Sequence, residues 1–184
     1  MKLIDYVPLA LRTEKTLATP LARISHATLG LITEIGEITT EVKRMAIYEK
    51  PLDDARRAHI AEEIGDVMWY MAIAADALDY TLLEPVPRET QDFEGAVFNL
   101  AGYAGNFASY ISWVGEPGAI EYPLTGMVQG IAQELADLAH LIGSDLATIG
   151  ADNISKLRER FPLAFSNEAA EARADKGGLD ARTS

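Results

Sequence analysis

The amino-acid sequence predicts an all-α fold, a bundle of helices joined by short connections. Apolar residues recur at the three- and four-residue spacing of a helix over long stretches, of which 21–48 contains no proline. The alternation of apolar and polar residues that marks a β-strand is nearly absent. Prolines fall mainly between the periodic stretches, where one helix can end and the next begin.

Each expected helix rests on this spacing and on the turn signals around it. Pro51 and the Asp53-Asp54 pair separate the first long stretch from the second. The segment GEPGAIEYP (115–123) is expected to be a loop, because glycine and proline interrupt it. The expected helices cover 21–48, 53–80, 91–113, 124–149 and 152–160, and residues 166–184 form an expected tail.

Length, charge and composition limit the class of protein. The 184 residues suit one domain. With 16 Lys and Arg against 28 Asp and Glu, the net charge of −12 would repel a nucleic-acid polymer. The absence of cysteine excludes disulfide frameworks, thiol catalysis and cysteine-ligated zinc. That absence also favours a cytoplasmic protein. The longest apolar run, 67–78, contains Asp76 and is too short to cross a membrane. The negative charge and the lack of a basic amphipathic face disfavour a membrane partner.

Two clusters of carboxylates stand on consecutive expected helices. Glu34, Glu37 and Glu41 share one face of the first helix. Glu63 and Asp66 repeat the three-residue step on the second. An antiparallel turn would set the clusters face to face, which is unfavourable unless cations neutralise the charge. Oxygen ligands favour Mg²⁺ or Mn²⁺, which can hold a polyphosphate and activate water. The alternative is that these acids are the solvated faces of amphipathic helices.

A di-iron carboxylate bundle is a second interpretation of the acids. Such sites need Glu-x-x-His steps. None of His26, His59 and His140 stands three residues after a glutamate, so the sequence disfavours this interpretation.

A third group of polar residues follows near the end of the chain. Asn153, Lys156 and Arg160 share one face of an expected helix in NISKLRERFP. The two cationic side chains could hold phosphate oxygens. The alternative is a cationic last turn that complements the helix dipole.

Together these three elements resemble the MazG-like superfamily of all-α nucleoside triphosphate pyrophosphohydrolases. The resemblance lies in HATLGLITEIGEITTEVKR (26–44), AEEIGDVMWYMAIAADAL (61–78) and NISKLRERFP (153–162). It implies a helical bundle that forms homodimers or homotetramers and hydrolyses (deoxy)nucleoside triphosphates to monophosphate and pyrophosphate. It also implies Mg²⁺ as cofactor, with Mn²⁺ able to substitute, and the host cytoplasm as compartment if the protein is from a phage.

The resemblance also implies roles for individual residues. The implied metal ligands are Glu34, Glu37, Glu63 and Asp66. The implied substrate-binding residues are Asn153, Lys156 and Arg160. The expected reaction is attack of water on the α-phosphorus, with Glu37 or Glu41 as general base. The expected domain is 1–165, with a catalytic helix pair in 12–80, an inserted or repeated pair in 91–149 and a phosphate-contacting helix in 152–165.

The helix pair in 91–149 is open to two interpretations. IAQELADLAHLI (131–142) repeats the Glu-x-x-Asp step of IAEEIGDVMWYM (60–71). Internal duplication and coincidence of two amphipathic pairs explain this similarity equally well. Under duplication, Tyr103 and Asn106 stand where the first copy has its two glutamates, and the second copy has lost its catalytic acids.

Two other functions stay open at this point. Dimeric dUTPases of the same superfamily have expanded chains, as this one does in 81–152, so a dUTPase-like or other nucleotide pyrophosphohydrolase activity of that superfamily is one alternative. A helical interaction module that has lost catalysis is the other. Trp69 or Tyr70 could stack on a nucleobase. The further candidates for a base-specificity pocket are His26, Asn99, Asn106 and residues 115–123.

Overall fold

The helices of the protein are seen in a computed structural model, which describes residues 1–114 and 123–162. Within these residues the chain forms six α-helices and no β-strand, which confirms the expected all-α class. The helices are α1 (Leu3–Leu11), α2 (Pro20–Ala46), α3 (Asp54–Ala77), α4 (Phe93–Trp113), α5 (Leu124–Leu141) and α6 (Leu146–Arg160).

Helix α3 forms the centre of the bundle. It packs against α1, α2, α5 and α6, while α4 packs against α2 and α5. Because α3 has neighbours on several sides, its buried residues surround the helix and do not form a single stripe. Ile64, Val67 and Met71 are fully buried. Glu63, an acidic residue of α3, is buried among these apolar side chains.

Side-chain caps fix where α2 and α3 begin. The Thr19 hydroxyl accepts a hydrogen bond from the Ala22 N–H at 3.1 Å, and Pro20 takes the first helical position. The Asp53 carboxylate accepts one from the Arg56 N–H at 2.8 Å. Both helices were expected from the sequence, and their observed ends differ from the expected ones by about three residues at most.

The expected helix over 124–149 is wrong at its C-terminal end. Helix α5 stops at Leu141, and the chain reverses at Gly143, whose φ is +78°. The Gly143 N–H donates to the His140 carbonyl and the Ser144 N–H to the Ala139 carbonyl, which is the Schellman pattern of a helix end.

Helix α6 begins at Leu146, six residues before its expected start at 152. The Asp145 carboxylate caps it by accepting from the Thr148 N–H at 2.7 Å. Residues 146–149 therefore belong to α6 and not to the helix pair expected in 91–149.

Helix α1 was not expected, and it lies outside the expected catalytic range 12–80. Its nine residues contain Pro8, and it packs against α3 and α6. Leu3 and Tyr6 are almost completely buried in that contact. The N-terminus thus reaches the same side of α3 as α6.

Some expectations concern residues outside the described ranges. These are the loop 115–123 apart from Pro123, the tail 166–184, and residues 163–165 of the expected phosphate-contacting helix. Within the described ranges, none of the helices combines the length and the apolar character needed to cross a membrane.

Candidate metal centre

Helices α2 and α3 bring together the four acids that the sequence singled out as metal ligands. Carboxylate oxygens of Glu34, Glu63 and Asp66 lie within 4.8 Å of one another. Ligand atoms of Glu37, His59 and Glu63 form a second group with the same spacing. Glu63 belongs to both groups. The geometry therefore offers two neighbouring three-ligand groups joined by one carboxylate.

Glu63 is the most enclosed of these acids, with 2% of its surface exposed. Burial raises the pKa of its carboxyl to about 8, and the negative charges of Asp66, Glu37, Glu34 and Glu62 add to the shift in that order. Bringing a cation to this position would remove both causes, since it would compensate the lost hydration and the repulsion.

His59 is a member of the centre that the sequence analysis missed. Its Nδ1 lies 3.3 Å from Glu63 Oε1, one helical turn along α3. The candidate ligand set is therefore wider than the all-oxygen set expected from the sequence, because an imidazole nitrogen stands beside it. Imidazole is a better ligand for Mn²⁺ and later transition metals than for Mg²⁺. The four-residue step from His59 to Glu63 was the available signal.

Glu41, expected as a possible general base, belongs to neither ligand group. It is 3% exposed and accepts a hydrogen bond from Arg56 Nε at 2.8 Å and another from Arg44. Each of its two carboxylate oxygens already accepts from a guanidinium group, so this arrangement argues against the expected role. Its Oε1 lies 4.0 Å from His59 Nε2, where it can help to orient the imidazole.

Two of the three expected phosphate-binding residues reach the centre through Asp66. Asn153 Nδ2 donates to Asp66 Oδ1 at 3.0 Å, and Lys156 Nζ donates to Asp66 Oδ2 at 2.7 Å. Lys156 also lies 3.3 Å from Glu62 Oε1. Burial lowers the pKa of Lys156, but the charges and hydrogen bonds of Asp66 and Glu62 outweigh it, and the net shift is upward. The ammonium group is therefore held charged at the edge of the acids.

Arg160 stands one turn beyond Lys156 on α6, near Tyr70. Its guanidinium lies 5.3 Å from the centre of the Phe161 ring. Burial raises the pKa of the Tyr70 phenol, as do Glu34 and Asp66, while the charge of Arg160 opposes them. The Tyr70 phenol is thus within electrostatic reach of the acids of the centre and of the last turn of α6.

The aromatic residues near the centre pack edge to face. The His26 ring lies 5.8 Å from Trp69 and 5.6 Å from Tyr70, with interplanar angles of 83° and 84°. Trp69 Nε1 donates to the Ala10 carbonyl and the Thr13 hydroxyl, so hydrogen bonds hold this side chain against the end of α1 and the residues after it. Tyr70 is therefore the better placed of the two to contact a ligand.

Asn99, expected as a candidate for base recognition, serves another set of acids. Its amide donates to Glu134 Oε1 at 3.1 Å in the α4–α5 pair. Glu134 and Asp137 are buried there, and Arg88 forms ion pairs with both, at 2.7 and 2.6 Å. The positive charge beside the Glu-x-x-Asp step of α5 is therefore supplied by a guanidinium group and needs no metal ion.

A cavity of about 260 Å³ opens between α3 and α6. Ala61, Gly65 and Ile149 form apolar parts of its wall, and Glu62 and Lys156 line it as well. It lies directly beside the ammonium group that contacts Asp66.

Comparison with known proteins connects the chain to a phage protein. The chain is 39% identical over 61 residues to the gene 37 protein of Mycobacterium phage L5. The match covers 32% of this chain and 53% of that protein, so the chain spans about half the length of this relative. No family model matches the chain, and no solved structure matches it significantly.

Proposed function

We propose that the protein is a metal-dependent nucleoside triphosphate pyrophosphohydrolase, which converts (deoxy)nucleoside triphosphates to monophosphates and pyrophosphate. The observation that carries this proposal is the pair of ligand groups that share the buried Glu63. Cations held at these two groups would suit displacement at phosphorus, because they could stabilise the attacking and the leaving oxygen together. The compartment that fits such an activity is the cytoplasm, that of the host for a phage protein.

The donor set fits Mg²⁺ or Mn²⁺. Glu34, Glu63 and Asp66 offer only oxygen, the donor that both ions prefer. The second group adds one nitrogen from His59, which favours Mn²⁺ at that position. When bound, such ions supply Lewis acidity and lower the pKa of a bound water.

Lys156 and Arg160 would bind the leaving part of the substrate. Lys156 Nζ now pairs with Asp66. With the charge of Asp66 neutralised, this ammonium group can turn to a β- or γ-phosphate oxygen. Arg160 continues the positive row along α6 and would meet the terminal phosphate.

The proposed reaction is an in-line displacement at the α-phosphorus. The oxygen of water forms a bond to that phosphorus, and the bond to the α,β-bridging oxygen breaks. Pyrophosphate leaves with the bonding electron pair. The water proton passes to a carboxylate oxygen of Glu37, which is the exposed acid of the two ligand groups. Tyr70 would stack on the nucleobase.

A panel of nucleotides tests the proposal. Each common NTP and dNTP, with dUTP included, is incubated with the protein and Mg²⁺ or Mn²⁺, and the products are separated by ion-exchange chromatography. We expect monophosphate and pyrophosphate from one or a few substrates. Glu63→Gln should abolish turnover, because both ligand groups lose their shared carboxylate. Glu94→Gln, an exposed acid on α4, is the matched control and should leave turnover unchanged.

The panel also separates the alternatives. Turnover confined to dUTP would assign the dUTPase-like activity. No turnover of any nucleotide with either ion would favour a helical interaction module. Equal turnover by the Glu63→Gln variant would show that the proposed centre is not where the reaction takes place.

A further inference from the structure

We propose that Tyr6 of α1 is a positioning residue for Asp66, which it holds through Asn153 in the orientation needed to bind a divalent cation. This inference rests on the proposed metal centre and adds to it a helix outside the α2–α3 pair. Three helices meet in the contact: α1 supplies Tyr6, α6 supplies Asn153, and α3 supplies Asp66.

A continuous chain of hydrogen bonds joins the three residues. The Tyr6 hydroxyl donates to Asn153 Oδ1 at 2.8 Å, and Asn153 Nδ2 donates to Asp66 Oδ1 at 3.0 Å. Tyr6 is 1% exposed and Asn153 5% exposed. Water is therefore poorly placed to replace either contact, and each buried group depends on its partner.

The donor and acceptor groups of the three side chains allow the hydrogen bonds to run in one direction only, from Tyr6 through Asn153 to Asp66. A carboxylate can only accept, so the Asn153 amide must turn its NH₂ toward Asp66 and its carbonyl oxygen toward Tyr6. The phenol has one hydrogen and two acceptors within reach, and the Asn153 oxygen at 2.8 Å is much closer than the Gly65 carbonyl oxygen at 3.5 Å. Without the phenol, the amide oxygen would be buried without this donor and would turn to seek another. Asp66 would then lose a fixed donor.

Two glycines allow the chain of contacts to form. A Cβ atom on Gly65 would lie 3.0 Å from Asn153 Nδ2, and one on Gly150 would lie 3.2 Å from Tyr6 Cδ2. The Asn153 amide therefore lies directly on the α3 backbone, and the Tyr6 ring lies directly on the α6 backbone. Such close packing leaves the two side chains little freedom to adopt another arrangement.

Of the two hydrogen-bond donors to Asp66, Asn153 is the one that we expect to stay in place when substrate binds. Lys156 holds the other carboxylate oxygen from the edge of the centre and is the group proposed to turn toward phosphate. Asn153 is buried and has no such second task. An oxygen that accepts from Asn153 still has a lone pair for a cation. Outer partners of this kind orient the ligands, and their loss commonly weakens metal binding by about 10- to 100-fold.

The test measures Mn²⁺ binding to the full chain by electron paramagnetic resonance of the free ion, without nucleotide. We expect Tyr6→Phe to raise the Mn²⁺ dissociation constant by about tenfold, at the low end of such effects. Asn153→Ala should raise it at least as much. The double variant should equal Asn153→Ala, because Tyr6 acts through Asn153. Tyr80→Phe is the matched control, since its hydroxyl contacts Gln129 on α5, and it should bind as the wild type does.

Thermal unfolding in EDTA, recorded for every variant, separates a loss of fold from a loss of binding. Gly150→Ala is a second variant that keeps the Tyr6 hydroxyl but crowds its ring, since the added Cβ would lie 3.2 Å from Tyr6 Cδ2 and from Met68 Cε, and it should weaken Mn²⁺ binding in the same direction. Wild-type Mn²⁺ affinity in a folded Tyr6→Phe variant would overturn the inference and leave the proposed metal centre intact. The same holds if the dissociation constant of the double variant rises by the product of the two single effects. Failure of the wild type to bind Mn²⁺ would overturn both.

Discussion

Glu63 gives the metal-free protein a pH-dependent stability that can be measured. Its folded pKa of about 8 lies above its ordinary value of 4.5, so the folded state favours the protonated carboxyl. The stability that this carboxyl contributes is present below about pH 4.5 and is lost as the pH rises through about 8. We expect the melting temperature in EDTA to fall between about pH 5 and pH 8 on this account, measured by circular dichroism.

Two comparisons isolate the contribution of Glu63. Glu63→Gln should remove most of this fall, because the amide does not ionise, whereas the exposed Glu94→Gln should keep it. Addition of Mn²⁺ at pH 8 should raise the melting temperature of the wild type but not of Glu63→Gln. A fall of the same size in the Glu63→Gln variant would assign it to other groups.

His59 should set the preference between the two cations. Because imidazole binds Mn²⁺ better than Mg²⁺, we expect His59→Gln to weaken Mn²⁺ binding by about tenfold and Mg²⁺ binding much less. Isothermal titration calorimetry with each ion measures both. His140→Gln removes an exposed histidine of α5 and is the control. Equal losses for both ions would mean that His59 is not a ligand.

At the residue scale, helical spacing was enough to select the acids of α2 and α3. Three-residue steps place such side chains on one face whatever the tertiary structure. Helical spacing could not predict the ion pair of Glu41, since its partner Arg56 comes from the next helix. Tyr6 could not be linked to Asn153, because 147 positions separate them along the chain.

At the scale of the helix, two glycines of α2 should respond in opposite directions to the same change. A Cβ on Gly30 would overlap the Tyr70 ring, whereas one on Gly36 would meet nothing within 4 Å. We expect Gly30→Ala to destabilise the protein by about 1–3 kcal/mol through overpacking. Gly36→Ala should stabilise it by up to about 1 kcal/mol through helix propensity. Urea unfolding measures both, and similar effects of the two would contradict the packing of Tyr70 on α2.

The segment between α3 and α4 is fastened to α5 by Arg88. Its backbone N–H and its guanidinium both donate to Asp137, and the guanidinium also pairs with Glu134. We expect Arg88→Ala to cost about 3 kcal/mol in unfolding free energy, since two buried carboxylates lose their counter-charge. Arg12→Ala, an exposed arginine, should change it by about 0.5 kcal/mol at most. A small effect of Arg88→Ala in urea unfolding would show that these ion pairs contribute little to stability.

The boundaries of the elements were partly present in the sequence. Gly143 and Asp145 are a helix-ending and a helix-starting residue only two positions apart, and together they mark the break between α5 and α6. Helix α1 carried a weaker signal. It has nine residues and an internal proline, and it is stabilised by burial against α3 and α6.

At the scale of the whole molecule, the two helix pairs neutralise their acids differently. The α2–α3 pair gathers four carboxylates with Lys156 at their edge, whereas the two buried acids of α5 form ion pairs with the half-exposed Arg88. The fold class could be predicted from the helical periodicity of the sequence. The difference between the two helix pairs could not, because it depends on Arg88, which lies in the segment between α3 and α4. The expected homodimer or homotetramer stays a prediction, as does duplication of the helix pair.

The source of the oxygen in the products tests the proposed reaction most directly. Hydrolysis of the preferred nucleotide is carried out in water enriched in ¹⁸O, with Mn²⁺ present, and both products are analysed by mass spectrometry. We expect one ¹⁸O atom in the nucleoside monophosphate and none in pyrophosphate, because water attacks the α-phosphorus. Label in pyrophosphate, or release of inorganic phosphate in place of pyrophosphate, would contradict the proposed function.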